Sequence, residues 1–538
     1  MRSAWLWIGA SAVSGLLALW VVTPGSSVGS READGPREAE KQRIRSFWNS
    51  YHQANSLRLQ GDPAGAAQLY RQCLDVDPHH EDSLYYLSVS LEEMGDYQPA
   101  AATLRKLIEL NPSSGRALSE LANVLSTPAP GAPAGFPEAR RALECTVEVN
   151  REQAGPFLRL GLLDLNEGKF DAALVRFRTA AGFGSPEGNY WIGYTYYLLH
   201  RRPEALQFFH KVLDRYAQER KMAGQGIRAE GDVWPDATKP LTALERSALK
   251  ATLFSRWIET SGPEVAGIKL EGGRAAPSFE VQRTGRPTAR VLLIDLDGDG
   301  QAERVEAGAE LRLYRREGDR WVERTAHSGL VSAGWVTDIV AADFNGDGRP
   351  DLFVLRWLKD AALYLNRGGG LFSDSTAQSG LQGIRGRSFS ALSFDYDRDG
   401  RLDLLVSAHA PFDDVARSLL QPEFKPAAHT PRLFHNRGEG SFEDVTAAAG
   451  LTTCYGTMQA LAADLDSDGY PDLLLVNGSP DALRLEPTVL LRNVEGREFR
   501  PWPQALGMDR PANRIGALVQ APGINLVPNP LLSRGAAR

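Results

Sequence analysis

Four short loops carry the residues whose types and spacing could do chemistry. The first holds Asp295, Asp297, Asp299 and Glu303, and the second Asp343, Asn345, Asp347 and Asp351. The third holds Asp395, Asp397, Asp399 and Asp403, and the fourth Asp464, Asp466, Asp468 and Asp472. In each, oxygen-bearing side chains stand at loop positions 1, 3, 5 and 9, with glycine at position 6. Hard oxygen donors at alternate positions suit Ca2+, which takes about six to eight oxygens in flexible geometry. Positions 1, 3 and 5 point side chains inward, position 7 offers a backbone carbonyl and position 9 closes the shell. Glycine at position 6 permits the sharp turn. Position 7 is accordingly free to vary, as Gln301, Arg349, Arg401 and Tyr470. Without a cation the carboxylates would repel one another, so the ion is expected to stabilise the loops. The second loop, with Asn345 at position 3, carries less charge and is expected to bind more weakly.

Two other readings use the same residues. An EF-hand needs a ligand at position 12 and flanking helices. Only the first loop has an acid there, Glu306; the others have Val354, Val406 and Leu475, with strand-like flanks. Plain Asp-Gly turns need one aspartate, not several at alternate positions.

The flanks show what positions the loops. Apolar runs such as Val291–Ile294 and Ala391–Phe394 precede them, and runs such as Asp403–Val406 and Asp472–Val476 follow. Short apolar runs bounded by Gly and Asp read as buried strands. A further segment recurs, Leu363 to Leu381 paralleling Leu433 to Leu451, each with an Asn-x-Gly hairpin signal. Weaker copies run from Leu313 to Leu330 and from Leu491 to Met508. Units of three or four strands repeating in this way suggest propeller blades.

Over roughly residues 285–510, within a repeat region taken as 265–510, the chain resembles the FG-GAP/VCBS repeat family, which includes the integrin-like β-propellers and bacterial proteins with an ASPIC/UnbV module. The resemblance implies calcium in the loops and an adhesion or scaffolding role for the blades. Asn513–Ala517 looks like the opening of an ASPIC/UnbV module within a 511–538 tail. Integrin-like propellers close with seven blades; this chain shows four clear units and a degenerate one around Pro277–Gln282.

The first half reads differently. Gly61, Ala66, Tyr70 and Pro78 recur 34 positions later as Gly95, Ala100, Leu104 and Pro112. Gly161, Ala173 and Phe177 are echoed by Gly193, Ala205 and Phe209 with slipped phase. These positions resemble the tetratricopeptide pattern, in which small residues let paired helices approach and an aromatic fills the gap. About five repeats are expected over 47–217, one split by the proline-rich 127–133. Leu241, Leu244, Ala248, Leu253 and Trp257 share one helical face and predict a capping helix within 218–264. The fold class is therefore an all-α tetratricopeptide solenoid followed by an all-β FG-GAP/VCBS propeller-like domain. The array offers either a concave groove for a protein or peptide, or a rigid spacer.

Ala4–Val22 is uncharged and would reach about 28 Å as a helix, enough to span the apolar core of a bilayer. Residues 1–25 read as a membrane anchor or cleaved signal peptide and 26–46 as a linker, placing the rest outside the cytosol, secreted or anchored in the cell envelope. At 538 residues the chain needs several domains, and a net charge of −7 provides no basic field for nucleic acid. Cys73, Cys145 and Cys454 form no C-x-x-C pair. No G-x-S-x-G, H-E-x-x-H or Walker motif is present, so no catalytic residues are assigned. The expected function is a non-enzymatic, calcium-stabilised interaction scaffold of the envelope. The alternatives are a carbohydrate-active or glycan-binding propeller and an assembly factor recruiting a partner through its helices.

Overall fold

The computed structural model describes residues 34–127, 129, 132, 135–149, 151–222, 241–260, 278–281, 290–331, 333–421, 423–426, 429–478, 484–502 and 517–520. Among these, no helix is long and apolar enough to cross a membrane. Ala4–Val22 lies outside them.

Five helical hairpins come first. They are α1 (Asp34–Leu59) with α2 (Pro63–Val76), α3 (Glu81–Glu93) with α4 (Tyr97–Leu110), and α5 (Gly115–Ser126) with α6 (Phe136–Val149). Then come α7 (Ala154–Asn166) with α8 (Phe170–Gly182) and α9 (Gly188–Leu198) with α10 (Arg202–Met222). The helix expected from Phe47 thus begins earlier, within the stretch read as linker. The proline-rich stretch falls between α5 and α6, where proline's missing N–H costs least.

Local chemistry sets the hairpin turns. Asp62 caps α2, accepting from the Gly65 N–H at 2.9 Å, with Pro63 at the first helical turn. Gly61 and Gly95 hold positive φ of 81° and 78° in the turns, so they serve the chain reversal rather than close helix packing. Close approach belongs to Gly161 and Gly193: a Cβ there would lie 2.5 Å from Phe177 and 2.8 Å from Phe209.

Helix α11 (Ala243–Thr260) covers the last hairpin through Phe254, which packs on Tyr190, Tyr194 and Phe209. It is more than a cap. Leu249 and Leu253 face the β half.

The β half opens with β1 (Ser278–Val281). Four antiparallel, four-stranded blades follow, each in chain order. Blade 1 is β2 (Arg290–Ile294), β3 (Glu303–Ala307), β4 (Leu311–Glu317) and β5 (Arg320–Glu323), trailed by a single helical turn, α12 (Thr325–Ser328). Blade 2 is β6 (Val336–Ala342), β7 (Asp351–Arg356), β8 (Ala362–Gly368) and β9 (Leu371–Asp374). Blade 3 is β10 (Ala391–Phe394), β11 (Asp403–Val406), β12 (Arg432–Gly438) and β13 (Ser441–Asp444), with α13 (Phe412–Leu420) inserted between its second and third strands. Blade 4 is β14 (Thr457–Ala463), β15 (Asp472–Asn477), β16 (Val489–Val494) and β17 (Glu498–Pro501).

The first strands of successive blades are neighbours, β2 beside β6, β6 beside β10 and β10 beside β14. Apolar layers fill the gaps; one joins Phe344, Phe353 and Leu363 of blade 2 to Leu404, Phe434 and Phe442 of blade 3. Strands covered on both faces, such as β7, are buried along their whole length.

Among the described residues the blades do not close into a ring. Val291 and Leu293 on β2 are more than half exposed, with no further blade on that side among the described residues. The degenerate unit expected at 277–282 is instead one strand of a two-stranded sheet: β1 pairs antiparallel with β18 (Ala517–Gln520), Ser278 opposite Gln520. The rest of the ASPIC/UnbV-like opening, 513–516, lies outside the described residues.

Among the described residues the helical array meets the blades in two main regions. The α3–α4 turn touches blade 2, where Trp357 Nε1 donates to the Tyr97 hydroxyl at 3.2 Å and Lys359 lies 3.5 Å from Asp96. Helix α11 packs on α13, where Ala416 meets Leu249 and Leu253 and Asp413 pairs with Lys250 at 2.7 Å.

Candidate metal centre

Each acidic loop joins the first and second strands of its blade, so the four loops share one end of the blade array. The position-1 carboxylate organises the turn. Asp343 Oδ1 accepts from the Gly346 and Asp347 N–H groups at 2.7 and 3.1 Å, and its Oδ2 from Gly348 at 2.8 Å. Positions 4 and 6 both take positive φ. Position 6 is Gly throughout, but position 4 includes Arg398 and Ser467, each at 65°. A side chain there costs roughly 1 kcal/mol or more. The requirement at position 4 was not apparent from the sequence, because two of its four occupants are not glycine.

Position 9 is the deepest. Glu303, Asp351, Asp403 and Asp472 are buried. Asp351 Oδ2 accepts from the position-2 N–H, Phe344, at 3.0 Å, and its Oδ1 from the Asn366 N–H at 2.8 Å. Asp403 and Asp472 repeat both bonds, and Glu303 the first. These carboxylates anchor the loop to the strands as well as facing its interior. Burial pushes Asp351 up to about 6, and Asp403 and Asp472 up to about 7, against the pull of those N–H groups and with help from neighbouring aspartates. Burial also raises Glu303.

Three loops bring their ligands together. Carboxylate oxygens of Asp295, Asp297 and Asp299, of Asp395, Asp397 and Asp403, and of Asp464, Asp466 and Asp468 each lie within 4.8 Å of one another. Asp343, Asp347 and Asp351 do not converge so closely among the described residues. There the Asn345 amide donates to Asp347 Oδ2 at 3.0 Å. The donor chemistry of the three clustered loops fits a hard divalent cation. Asp466 Oδ2 adds to this: it is buried with no aligned hydrogen bond, although Arg492 Nε lies 2.6 Å away.

Basic side chains also reach these loops. Arg315 lies 3.0 Å from Asp297 and 2.7 Å from Asp299, and His435 Nδ1 lies 3.0 Å from Asp403. Arg315, His435 and Arg492 hold the same place on the third strand of their blades; blade 2 has Leu365 there. From position 7, Arg349 pairs with Asp347 at 2.6 Å, and Arg401 pairs with Asp399. The Gln301 N–H and Arg315 hold Asp299 below the usual carboxylate range.

The Asn-x-Gly segments do more than turn the chain. Asn366, Asn436 and Asn493 are buried, and each Nδ2 donates to the position-2 carbonyl of the preceding blade's loop. The acceptors are Leu296, Phe344 and Tyr396, at 2.7, 3.0 and 2.9 Å. The same amide also bonds the position-8 carbonyl of its own loop, as from Asn436 to Leu402 at 2.9 Å. Each loop of the first three blades is thereby tied to the next blade. The signal was present in the repeated asparagine, although the hairpin beside it explained the residue by itself.

The molecule is a two-part repeat protein, with an oxygen-rich loop at one corner of every blade. A family model described as FG-GAP-like repeat matches residues 295–354, 352–406 and 424–475, and one described as tetratricopeptide repeat matches 57–124. The chain carries tetratricopeptide repeats in its helical half and FG-GAP-like repeats in its blades. Among solved structures it is similar to the MamA protein, at 22% identity over 34% of this chain and 98% of that one, with a TM-score of 0.30. It is also similar to YrrB, described as a TPR protein with an unusual peptide-binding site (22% identity, 34% and 92% covered, TM-score 0.28). A third is TTC0263, a thermophilic TPR protein of Thermus thermophilus (20% identity, 33% and 96% covered, TM-score 0.27). No curated protein matches the chain significantly in sequence.

Proposed function

We propose that the chain is a protein-interaction scaffold whose blades are locked by Ca2+ in the acidic loops. The observation that carries this reading is the coupling at each loop. The carboxylates that would hold the ion sit on a turn whose position-2 N–H is fixed by the buried position-9 acid, and in the first three loops the position-2 carbonyl is held by the next blade's asparagine. An ion that neutralises the turn therefore tightens the contact between blades. Calcium would supply charge neutralisation and a fixed coordination shell, with the chain's own residues setting the loop shape.

The helical half supplies the surface for a protein or peptide. Helices α1, α3 and α5, the first of successive hairpins, present Arg58 over Tyr86 at 4.6 Å and Arg116 over Tyr85 at 4.8 Å. Glu92 beside them is pushed up to about 8 by burial and by Glu120. Aromatic faces interleaved with charges of both signs suit a polar peptide. The apolar Ala4–Val22 supports a place outside the cytosol; protection of residues beyond 40 from protease added to spheroplasts would overturn that placement.

Calcium titration of the full chain by calorimetry, paired with melting in chelator, tests the metal reading. Binding is expected, strongest at the three clustered loops, with a lower melting temperature in chelator. Absence of both heat and any melting shift removes calcium from the account.

A further inference from the structure

The third acidic loop differs from its sisters in the side chain that stands across from it. Arg315 faces the first loop and Arg492 the fourth, and Leu365 holds the equivalent place in blade 2, but blade 3 has His435. A guanidinium has no lone pair to give a metal ion, whereas an imidazole has one on whichever ring nitrogen carries no proton. Arginine can only offset the charge of a loop; histidine can join the coordination shell.

The strand register sets the ring in place. Leu404 pairs with Phe434, so Asp403 and His435 are the next pair along the antiparallel ladder. The histidine side chain is 9% exposed. Its Nδ1 lies 3.0 Å from Asp403 Oδ1, an oxygen that also accepts from the Asn436 N–H at 2.8 Å. Tyr396 meets the ring edge-on, with centroids 5.9 Å apart. With the Nδ1–H donated to Asp403, the lone pair falls on Nε2. A ring oriented by a carboxylate through one nitrogen, leaving the other for an ion, is the usual arrangement of a metal-ligating histidine.

Nε2 makes no hydrogen bond among the described residues and lies 3.8 Å from Asp399 Oδ2. Ligand atoms of Asp397, Asp399 and His435 all fall within 4.8 Å of one another. An ion with bonds of about 2.0 to 2.2 Å spaces its ligands roughly 3.0 to 3.5 Å apart, so Nε2 and Asp399 need close by only a few tenths of an ångström. Arg401, held through Nε by the Asn436 carbonyl at 2.7 Å, shares Asp399 and offsets part of the loop's charge.

We propose that the third loop prefers a borderline divalent cation of the Zn2+ class to Ca2+, with His435 Nε2, Asp397 and Asp399 as its ligands. Imidazole nitrogen favours such ions, whereas an all-oxygen shell suits Ca2+. The other three loops have no nitrogen ligand and keep the calcium preference. The inference rests on the reading of the acidic loops as cation sites.

The full chain, stripped with chelator and dialysed, is titrated with Zn2+ and with Ca2+ by calorimetry and with Co2+ by visible absorption. One Zn2+ is expected to bind at least about tenfold more tightly than Ca2+. Co2+ should give a visible band that Zn2+ removes and Ca2+ at the same concentration does not. His435→Arg copies blades 1 and 4; it should melt like wild type without Zn2+, lose the tight Zn2+ event and retain calcium heat at the other loops. The wild-type competition between ions does not depend on that variant. The proposal is overturned if wild type binds Zn2+ no more tightly than Ca2+, or if Ca2+ displaces Co2+ as readily as Zn2+ does. It is also overturned if His435→Arg binds Zn2+ like wild type, which would place the ion on another of the chain's nine histidines. A tight Zn2+ event that depends on His435, with no calcium heat at any loop, would support this site and overturn the calcium reading. Calcium heat without the Zn2+ event would do the reverse.

Discussion

The two halves of the molecule repeat a unit and stack it, but they hold neighbouring elements together by different physics. In the helical half the joints are chiefly apolar, with ion pairs such as Arg140–Asp164 beside them: Gly161 and Gly193 leave room for the Phe177 and Phe209 rings, and Ala66, Ala100, Ala173 and Ala205 are fully buried. In the blades an apolar layer is present too, yet the register between blades is fixed by polar clips. Asn366, Asn436 and Asn493 reach a carbonyl one blade away, and the Phe442 N–H donates to the Ser379 carbonyl at 2.7 Å. Dispersion contacts are indifferent to ions and pH, whereas clips attached to acidic loops are not. Any response to calcium or proton concentration is therefore expected chiefly in the second half.

The sharpest test of that contrast is a pair of single substitutions. Asn436→Ala strips the Phe344 and Leu402 carbonyls and the Gly438 N–H of their partners at a buried site. The expected loss is roughly 3 kcal/mol. Gly161→Ala forces a methyl against the Phe177 ring and should cost roughly 2 kcal/mol through overpacking. Urea melts with and without calcium read both. Calcium should restore part of the first loss and none of the second. Equal recovery in the two variants would mean that the halves melt as one unit through the Trp357–Tyr97 and α11–α13 contacts, and the contrast would fail.

Acidity divides the halves less cleanly. Without an ion, Asp351 titrates at about 6 and Asp403 and Asp472 at about 7, all raised by burial. A carboxyl raised in the folded state binds its proton more tightly there than in the unfolded chain. Its contribution is complete below the unfolded value of about 4 and disappears as pH rises through the folded value. In chelator the blades should therefore melt at a higher temperature at pH 5 than at pH 8. Calcium requires the deprotonated acids, so in excess calcium the order should reverse. Glu92 gives the helical half a slope of the same sign, lost near pH 8, and calcium should leave that slope untouched. Calorimetric scans at the two pH values, each with and without calcium, measure all of this.

What could be read in advance follows from the range of the interactions. The loops, the strands beside them and the period of 34 are local patterns, and each pointed to its element because hydrophobic period and turn chemistry act over a few residues. The proline-rich break was legible for the same reason; of the α11 face, Leu244 and Ala248 pack on the last hairpin whereas Leu253 turns to the β half. The basic residues on the third strands were not legible, because Arg315, His435 and Arg492 meet loops folded back from elsewhere in the blade. The asparagine clips span 70, 92 and 97 residues, and a repeat period reveals the unit without showing how units join. Ring closure depends on how many units the chain supplies and how they join, which no local pattern states. Four blades and a two-stranded sheet are what the described chain supplies.

The smallest expected effect concerns the loop that differs most from its sisters. With Asn345 at position 3, the second loop lacks one carboxylate, and its amide satisfies Asp347 internally. Asn345→Asp supplies the missing charge. In chelator the new carboxylate should repel Asp343 and Asp347 and lower the melting temperature slightly, since Arg349 offsets only part of that repulsion. In calcium the same charge should strengthen binding at this loop by roughly 1 kcal/mol, about fivefold, the scale of one exposed charge at short range. The variant should thus be less stable than wild type without the ion and more stable with it. A crossing of that kind distinguishes an ion-holding loop from an Asp-Gly turn, for which the extra carboxylate would be unfavourable under both conditions.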